Sequence, residues 1–404
     1  MNMATASICG SAQSEIIHAV VELSLSFFPD RLLSIVLTGS LAREEGTWLN
    51  MGARTRLAGD AEFLLVFEDT KSLPPSESTN RLCADVEARL ADQDIEAKID
   101  ISPVEPRYLR LQKPHIFAFE LITHGRVIWG DEQILNWIPR FTATEIPVED
   151  GFRTLLNRMT ELVEALSKPE KGSKTTDIAN YRSMKLSLDM ATSYLLFAGI
   201  YEPTYRGRAR RLSELPAFPV VCPIPVQHFA ARVQKATQHK LGERGTFGSS
   251  GRAELRDLIN DLHLLWRWEL ESLIPSESGT SDKALMNRWV ASQHIKERVR
   301  GWASVVRRHG VAKSLRHLPR WTVGSLTCSP RRALYAAVSE LIFAIPDMYE
   351  RPGCSMGDES RWDQLRLQLP VSEPPNRDLS GHSWQRLGLA LGWNYHHFLE
   401  STRS

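Results

Sequence analysis

Apolar positions along the first 150 residues switch between two periods. Ile17, Val20, Val21, Leu25 and Phe28 recur at helical spacing over 14–28, and Pro29-Asp30 ends that helix. Apolar runs of strand length come next, at 33–38, 61–67 and 95–102. A Leu73-Pro74-Pro75-Ser76 loop leads into a helical stretch, 77–91, between the second and third. After Pro103 come an apolar run at 116–122 and a strand at 126–129, closing at Gly130-Asp131. This alternation predicts a mixed-sheet α+β domain over 1–147.

From Val148 the pattern turns helical. Phe152, Leu155, Leu156, Met159, Leu162, Val163 and Leu166 predict a helix over 149–167. A second, over 177–199, carries Met184, Leu188, Ala191, Tyr194 and Leu195. Pro203, Pro216, Pro219, Pro223 and Pro225 then interrupt the pattern, and helices resume over 226–240 and 253–273. The Gly/Ser-rich stretch 242–251 reads as a linker, since no Lys-Ser/Thr comes after its glycines. Residues 274–281, rich in Ser, Pro and Gly, mark the clearest boundary. Three domains are expected: 1–147, a helical bundle over 148–273, and a basic helical domain over 282–404.

The candidate chemistry lies in the first of these. The strand at 33–38 ends in Gly39-Ser40, with helix-forming residues after it. The second strand carries Asp60 and Glu62, and the third has Asp100 at its centre. Side chains at i and i+2 of a strand share a face, about 6.6 Å apart. Asp60 and Glu62 therefore face the same way, and a neighbouring strand would bring Asp100 beside them. Carboxylate oxygens suit Mg2+ or Mn2+ shared with substrate phosphates. Gly39 lets a phosphate approach the backbone, and Ser40 adds a hydroxyl at a helix start. The competing reading is a solvated strand face. Against it, the acids adjoin Phe63-Leu64-Leu65-Val66-Phe67, a run that should be buried.

An apolar strand, Gly-Ser, acid-x-acid and a third acid on a later strand resemble the nucleotidyltransferase superfamily. DNA polymerase beta, the aminoglycoside nucleotidyltransferases and the cyclic-oligonucleotide synthases belong to it. The resemblance covers about residues 30–130. One departure is the gap from Ser40 to Asp60, longer than the family's usual spacing; its extra residues, about 47–57, look like an inserted hairpin around Asn50-Met51-Gly52. The resemblance implies that Asp60, Glu62 and Asp100 are catalytic and hold two divalent ions. It also implies that Gly39 and Ser40 receive the phosphates of a nucleoside triphosphate, ATP being one candidate. A Lys or Arg from a later helix often joins those phosphates in this family. Lys185 and Arg182, beside Tyr181, stand in such a stretch, although any exposed helix carries such residues. Arg43, just after Ser40, either meets the phosphates or pairs with Glu44 or Glu45. The turn 201–208 either shapes an acceptor or base pocket or is a structural loop.

Composition narrows the setting. With 42% hydrophobic and 24% charged residues, the chain has the make-up of a soluble globular protein. No apolar run approaches the roughly 20 residues of a membrane span. Glu15 and Glu22 near the first apolar stretch argue against a signal peptide. Five scattered cysteines without a Cys-x-x-Cys pair suggest neither zinc nor a disulfide framework, and a cytoplasmic setting is expected. Charge is uneven. Residues 284–339 hold eleven Lys/Arg against one acid, Glu297, in a chain of net charge +1. Trp289, Trp302 and Trp321 are interleaved with these cations, either as stacking platforms for nucleic acid or as core residues.

Three functions remain open on sequence alone. The first is a metal-dependent enzyme transferring NMP from an NTP to a hydroxyl of a small molecule, sugar or protein. The second makes or extends an oligonucleotide or cyclic nucleotide, with the basic segment as nucleic-acid platform. The third is a non-catalytic relative that binds nucleotide.

Overall fold

Strand pairing in the first 130 residues reflects the alternation of apolar positions. In the computed structural model, all residues are described except 1–2, 53, 69–71, 169–172, 216–220, 243–251, 276, 278, 316–320, 322–326, 351–358, 371–381 and 400–404. Helix α1 (Met3–Phe27) leads into β1 (Leu32–Thr38) and one short turn of helix, α2 (Gly39–Ala42). Next is a hairpin of β2 (Trp48–Met51) and β3 (Arg54–Phe67). After it come α3 (Ser76–Ala91), β4 (Ile95–Val104), α4 (Pro106–Arg110), α5 (Ile116–His124) and β5 (Arg126–Gly130). β3 is the spine of the sheet. It pairs antiparallel with β1 and β2 and parallel with β4, while β1 also pairs with β5. The parallel pair needs a crossover connection, and α3 supplies it.

The residues between Ser40 and Asp60 do form a hairpin. Trp48 pairs with Leu57 and Met51 with Arg54. Gly52 turns the chain at φ +83°, and its N–H donates to Asn50 Oδ1 at 3.1 Å. The extra length thus prolongs β3 outward and leaves its acid end in place.

Each sheet face buries one alternate set of residues. Ile35, Leu37, Phe63, Leu65, Ile99 and Ile101 pack with Ile16 and Val20 of α1 and Leu82 and Val86 of α3. Val36, Leu64, Val66 and Val104 pack with Leu109 of α4 and Leu121 of α5. Full burial of such a side chain contributes about 1.5–3 kcal/mol.

The chain forms two compact units, neither contiguous in sequence. The first comprises Met1–Asp150, Ala198–Pro219 and Ala230–Thr246. The second comprises Gly151–Phe197, Val220–Phe229 and Phe247–Ser404. Residues 198–219 and 230–246 thus join the sheet-bearing unit, although their pattern places them in the helical stretch 148–273. Both sides of the boundary at 274–281 lie in the second unit. The proposed linker at 242–251 lies outside the described residues from 243 onward.

The second unit is helical. Helix α6 (Val148–Ser167) buries Phe152, Leu155, Leu156, Met159, Leu162 and Val163. Helix α7 (Ser173–Phe197) buries Met184, Leu188, Ala191, Tyr194 and Leu195. Helix α8 (Tyr205–Ser213) belongs to the first unit, as does α9 (Val226–Lys240) from residue 230. Helices α10 (Arg252–Leu273), α11 (Asp282–Ala291) and α12 (Ile295–His309) continue the second unit. Among the described residues, no helix is long and apolar enough to cross a membrane.

Candidate active site

The sheet register brings three acids to one face. Glu62 of β3 stands opposite Asp100 of β4 and, on its other side, opposite Thr38 of β1. Paired residues point to the same side of a sheet, so Thr38, Glu62 and Asp100 form a row across three strands. Asp60, two residues before Glu62, shares that face, opposite Lys98. The same face carries Val36, Leu64, Val66 and Val104 farther along, so the acids lie where the apolar layer stops. All three carboxylates are partly exposed.

Gly39 lies directly against this row. Its φ is +66°, and a Cβ built there would collide with Glu62 Oε2. Any side chain at 39 would therefore displace the Glu62 carboxylate as well as strain the turn. The Gly-Ser turn and the middle acid are thus in contact. Lys98 Nζ lies 3.7 Å from Asp60 Oδ1 and lends that end of the row a positive charge. Three carboxylates on one sheet face are an oxygen donor set of the kind Mg2+ takes. Among the described residues, no three His, Cys, Asp or Glu side chains stand close enough to hold an ion as they are.

Arg43 is turned inward from the Gly-Ser turn. Its side chain is 7% exposed; NH1 donates to Glu120 Oε2 at 2.5 Å, and Nε lies 3.7 Å from Glu45 Oε2. Burial opposes its charge, but Glu120, Tyr205 and Glu45 outweigh that and hold the guanidinium above its ordinary value. Glu45, also buried, accepts the backbone N–H groups of Tyr205 and Arg206 at 2.8 and 2.9 Å, in the first turn of α8. Tyr201 donates its hydroxyl to Glu120 Oε1 at 2.9 Å. Burial and Glu120 push the Tyr201 phenol well above its usual range. The Arg208 guanidinium lies 4.7 Å from the Tyr205 ring centroid. The sequence left Arg43 between the phosphates and a pairing with Glu44 or Glu45, and the turn 201–208 between a pocket and a loop; the structure pairs Arg43 with Glu45 and with Glu120, which sequence reasoning missed. One signal was available: Glu120 sits inside the apolar run 116–122, where a charge needs a partner.

The turn 201–208 is buried in part and lines a groove in part. Tyr201, Tyr205 and Arg208 belong to the buried cluster. Glu202, Thr204, Arg206 and Arg210 line a groove of about 560 Å³, closed opposite by Gln234 and Thr237 of α9. Helix α9 is tied to the sheet at its end. Thr47 Oγ1 donates to the Lys240 carbonyl, and Lys240 Nζ lies 3.9 Å from where Gly59, next to Asp60, would carry a Cβ.

Lys185 and Arg182 lie in the second unit, within a charged cluster on α6 and α7. Arg182 pairs with Glu161, and Arg158 pairs with Glu161 and with Asp189 at 2.7 Å. Lys185 Nζ lies 5.3 Å from the Tyr181 ring centroid. Burial, then the positive charge of Arg158, lower its pKa to about 8. The tryptophans of the basic segment are core residues: Trp289, Trp302 and Trp321 are 6%, 9% and 3% exposed. Trp289 meets Phe152 edge-on, while the indole N–H groups of Trp302 and Trp321 donate to the carbonyls of Cys328 and Pro370. Stacking on bases is not open to them. Arg316 and Arg320 lie outside the described residues.

The chain matches no known family model, and comparison with curated proteins and with solved structures found no match.

Proposed function

We propose that the protein is a metal-dependent nucleotidyltransferase, moving NMP from an NTP to a hydroxyl of a small-molecule, sugar or protein acceptor. The observation that carries this reading is the row formed by Glu62 and Asp100, with Asp60 on the same face and Gly39 against Glu62. Asp60, Glu62 and Asp100 would hold Mg2+ or Mn2+. Such ions, when bound, neutralise triphosphate charge and hold the attacking and leaving oxygens of an in-line displacement. Asp100 takes the proton of the acceptor hydroxyl, whose oxygen bonds to the α-phosphorus as pyrophosphate departs. Gly39 leaves room for the β- and γ-phosphates near the backbone, and Ser40 offers its hydroxyl to them. The polar groove between α8 and α9 suits the base or the acceptor. These roles use the first unit alone.

The test is incubation with each labelled NTP and Mg2+ or Mn2+, with products separated. Transfer of label to an acceptor or to the protein itself, with release of pyrophosphate, is expected, and Asp60→Asn or Asp100→Asn abolishes it. Lengthened or cyclised products would assign the oligonucleotide-making alternative. Pyrophosphate release unchanged in both variants would refute the assignment of these acids.

A further inference from the structure

Among the described residues, part of the positive charge of residues 284–339 is not absorbed by the fold. Arg298 and Arg332 are structural: Arg298 donates to the carbonyls of Gln293 and Ala291 at 2.9 and 2.7 Å, and Arg332 to the Trp289 carbonyl and Ser292 Oγ. Lys296, Arg300, Arg307 and Arg308, all on α12, are different. All four are exposed, and among the described residues their side chains form no ion pair or hydrogen bond. At 3.6 residues per turn, Lys296, Arg300 and Arg307 fall within about 40° of one line on the helix and span about 16 Å of its length. Arg308 lies about 80° round from Arg300. The one acid of the segment, Glu297, is also exposed and leaves this stripe strongly positive.

We propose that this face of α12 binds the phosphate backbone of a nucleic acid without reading its bases. A line of cations several ångströms apart finds phosphates on any strand, and guanidinium groups match phosphate oxygens in pairs. Stacking on bases is not offered here, because the three nearby tryptophans are buried, and contacts to phosphates alone carry no sequence information. A bilayer is disfavoured by the same helix. Of its apolar residues, Trp302 and Val305 are buried in the core and Ile295 and Val299 are exposed, a smaller outward apolar face than a surface-lying helix presents.

The experiment uses the full chain and fluorescence anisotropy with labelled DNA and RNA, single- and double-stranded. Each phosphate contacted contributes about −0.9 to the slope of log affinity against log salt, so a slope of about −3 is expected between about 50 and 200 mM. Arg300→Glu combined with Arg307→Glu lowers affinity at least about tenfold and flattens the slope by about two. The melting temperature stays unchanged, since both side chains are exposed. Absence of binding at the lowest salt overturns the proposal, as does unchanged affinity in the double variant. Tighter binding to phosphatidylserine vesicles than to nucleic acid, lost in the same variant, would assign the face to lipid and also overturn it. The readout is independent of nucleotide transfer, so the two readings fail separately.

Discussion

Glu269 of α10 is fully buried in the helical unit, and neither of its carboxylate oxygens has a hydrogen-bond partner of good geometry. Burial raises its pKa well above the ordinary carboxylate range, offset only in part by the Ser193 hydroxyl of α7. A folded-state value above the unfolded one means that the folded protein keeps this proton after the unfolded chain has lost it. Stability from this group is therefore complete below about pH 4.3 and lost as pH climbs through the raised value. Glu269→Gln removes the titration. Its melting temperature should exceed that of the wild type at neutral pH, by a margin that shrinks toward pH 4, and thermal melts at several pH values measure this. A margin independent of pH would show that Glu269 is not held protonated by the fold. Periodicity does not reveal such a residue, because a helix tolerates Glu at any position and only packing shows which ones face inward.

Elements from separate stretches of chain are joined by buried charge. Glu45 receives the first N–H groups of α8 about 160 residues away in sequence, while Arg43 bridges Glu45 and Glu120. Removing one member of a buried ionic cluster leaves an uncompensated charge and costs about 3–5 kcal/mol. Glu45→Ala should show a loss of that size in urea unfolding, with faster hydrogen exchange over 205–213; Glu45→Gln, which keeps one acceptor oxygen, should lose less. Equal exchange in α8 for all three proteins would mean that other contacts hold the helix. The elements themselves were legible. The strand that leads into Gly39 and the strand carrying Asp100 stand within a few residues of where their apolar runs place them, β3 ends where its run ends but starts seven residues earlier, at Arg54, and the hairpin at 47–57 is foreshadowed by its Asn-Met-Gly turn. The allegiance of α8 was not, because it depends on a partner far along the chain that no local pattern names.

At the scale of the molecule, the two units divide the candidate chemistry. The acid row, the Gly-Ser turn and the polar groove belong to the first; the α6–α7 cluster with Lys185 and the α12 cations belong to the second. The domain limits expected from proline and glycine content differ from these units, since each unit draws on segments interrupted by the other. The central claim is that Asp60, Glu62 and Asp100 form a divalent-metal site for a nucleotide, and it can be measured without knowing the acceptor. Electron paramagnetic resonance of Mn2+ titrated into the protein with non-hydrolysable analogues of the four NTPs reads the site directly. The account predicts that at least one analogue promotes Mn2+ binding, and that Asp60→Asn and Asp100→Asn each abolish it while leaving the melting temperature within a few degrees. Mn2+ held equally well by both variants, or by neither they nor the wild type with any analogue, would contradict it.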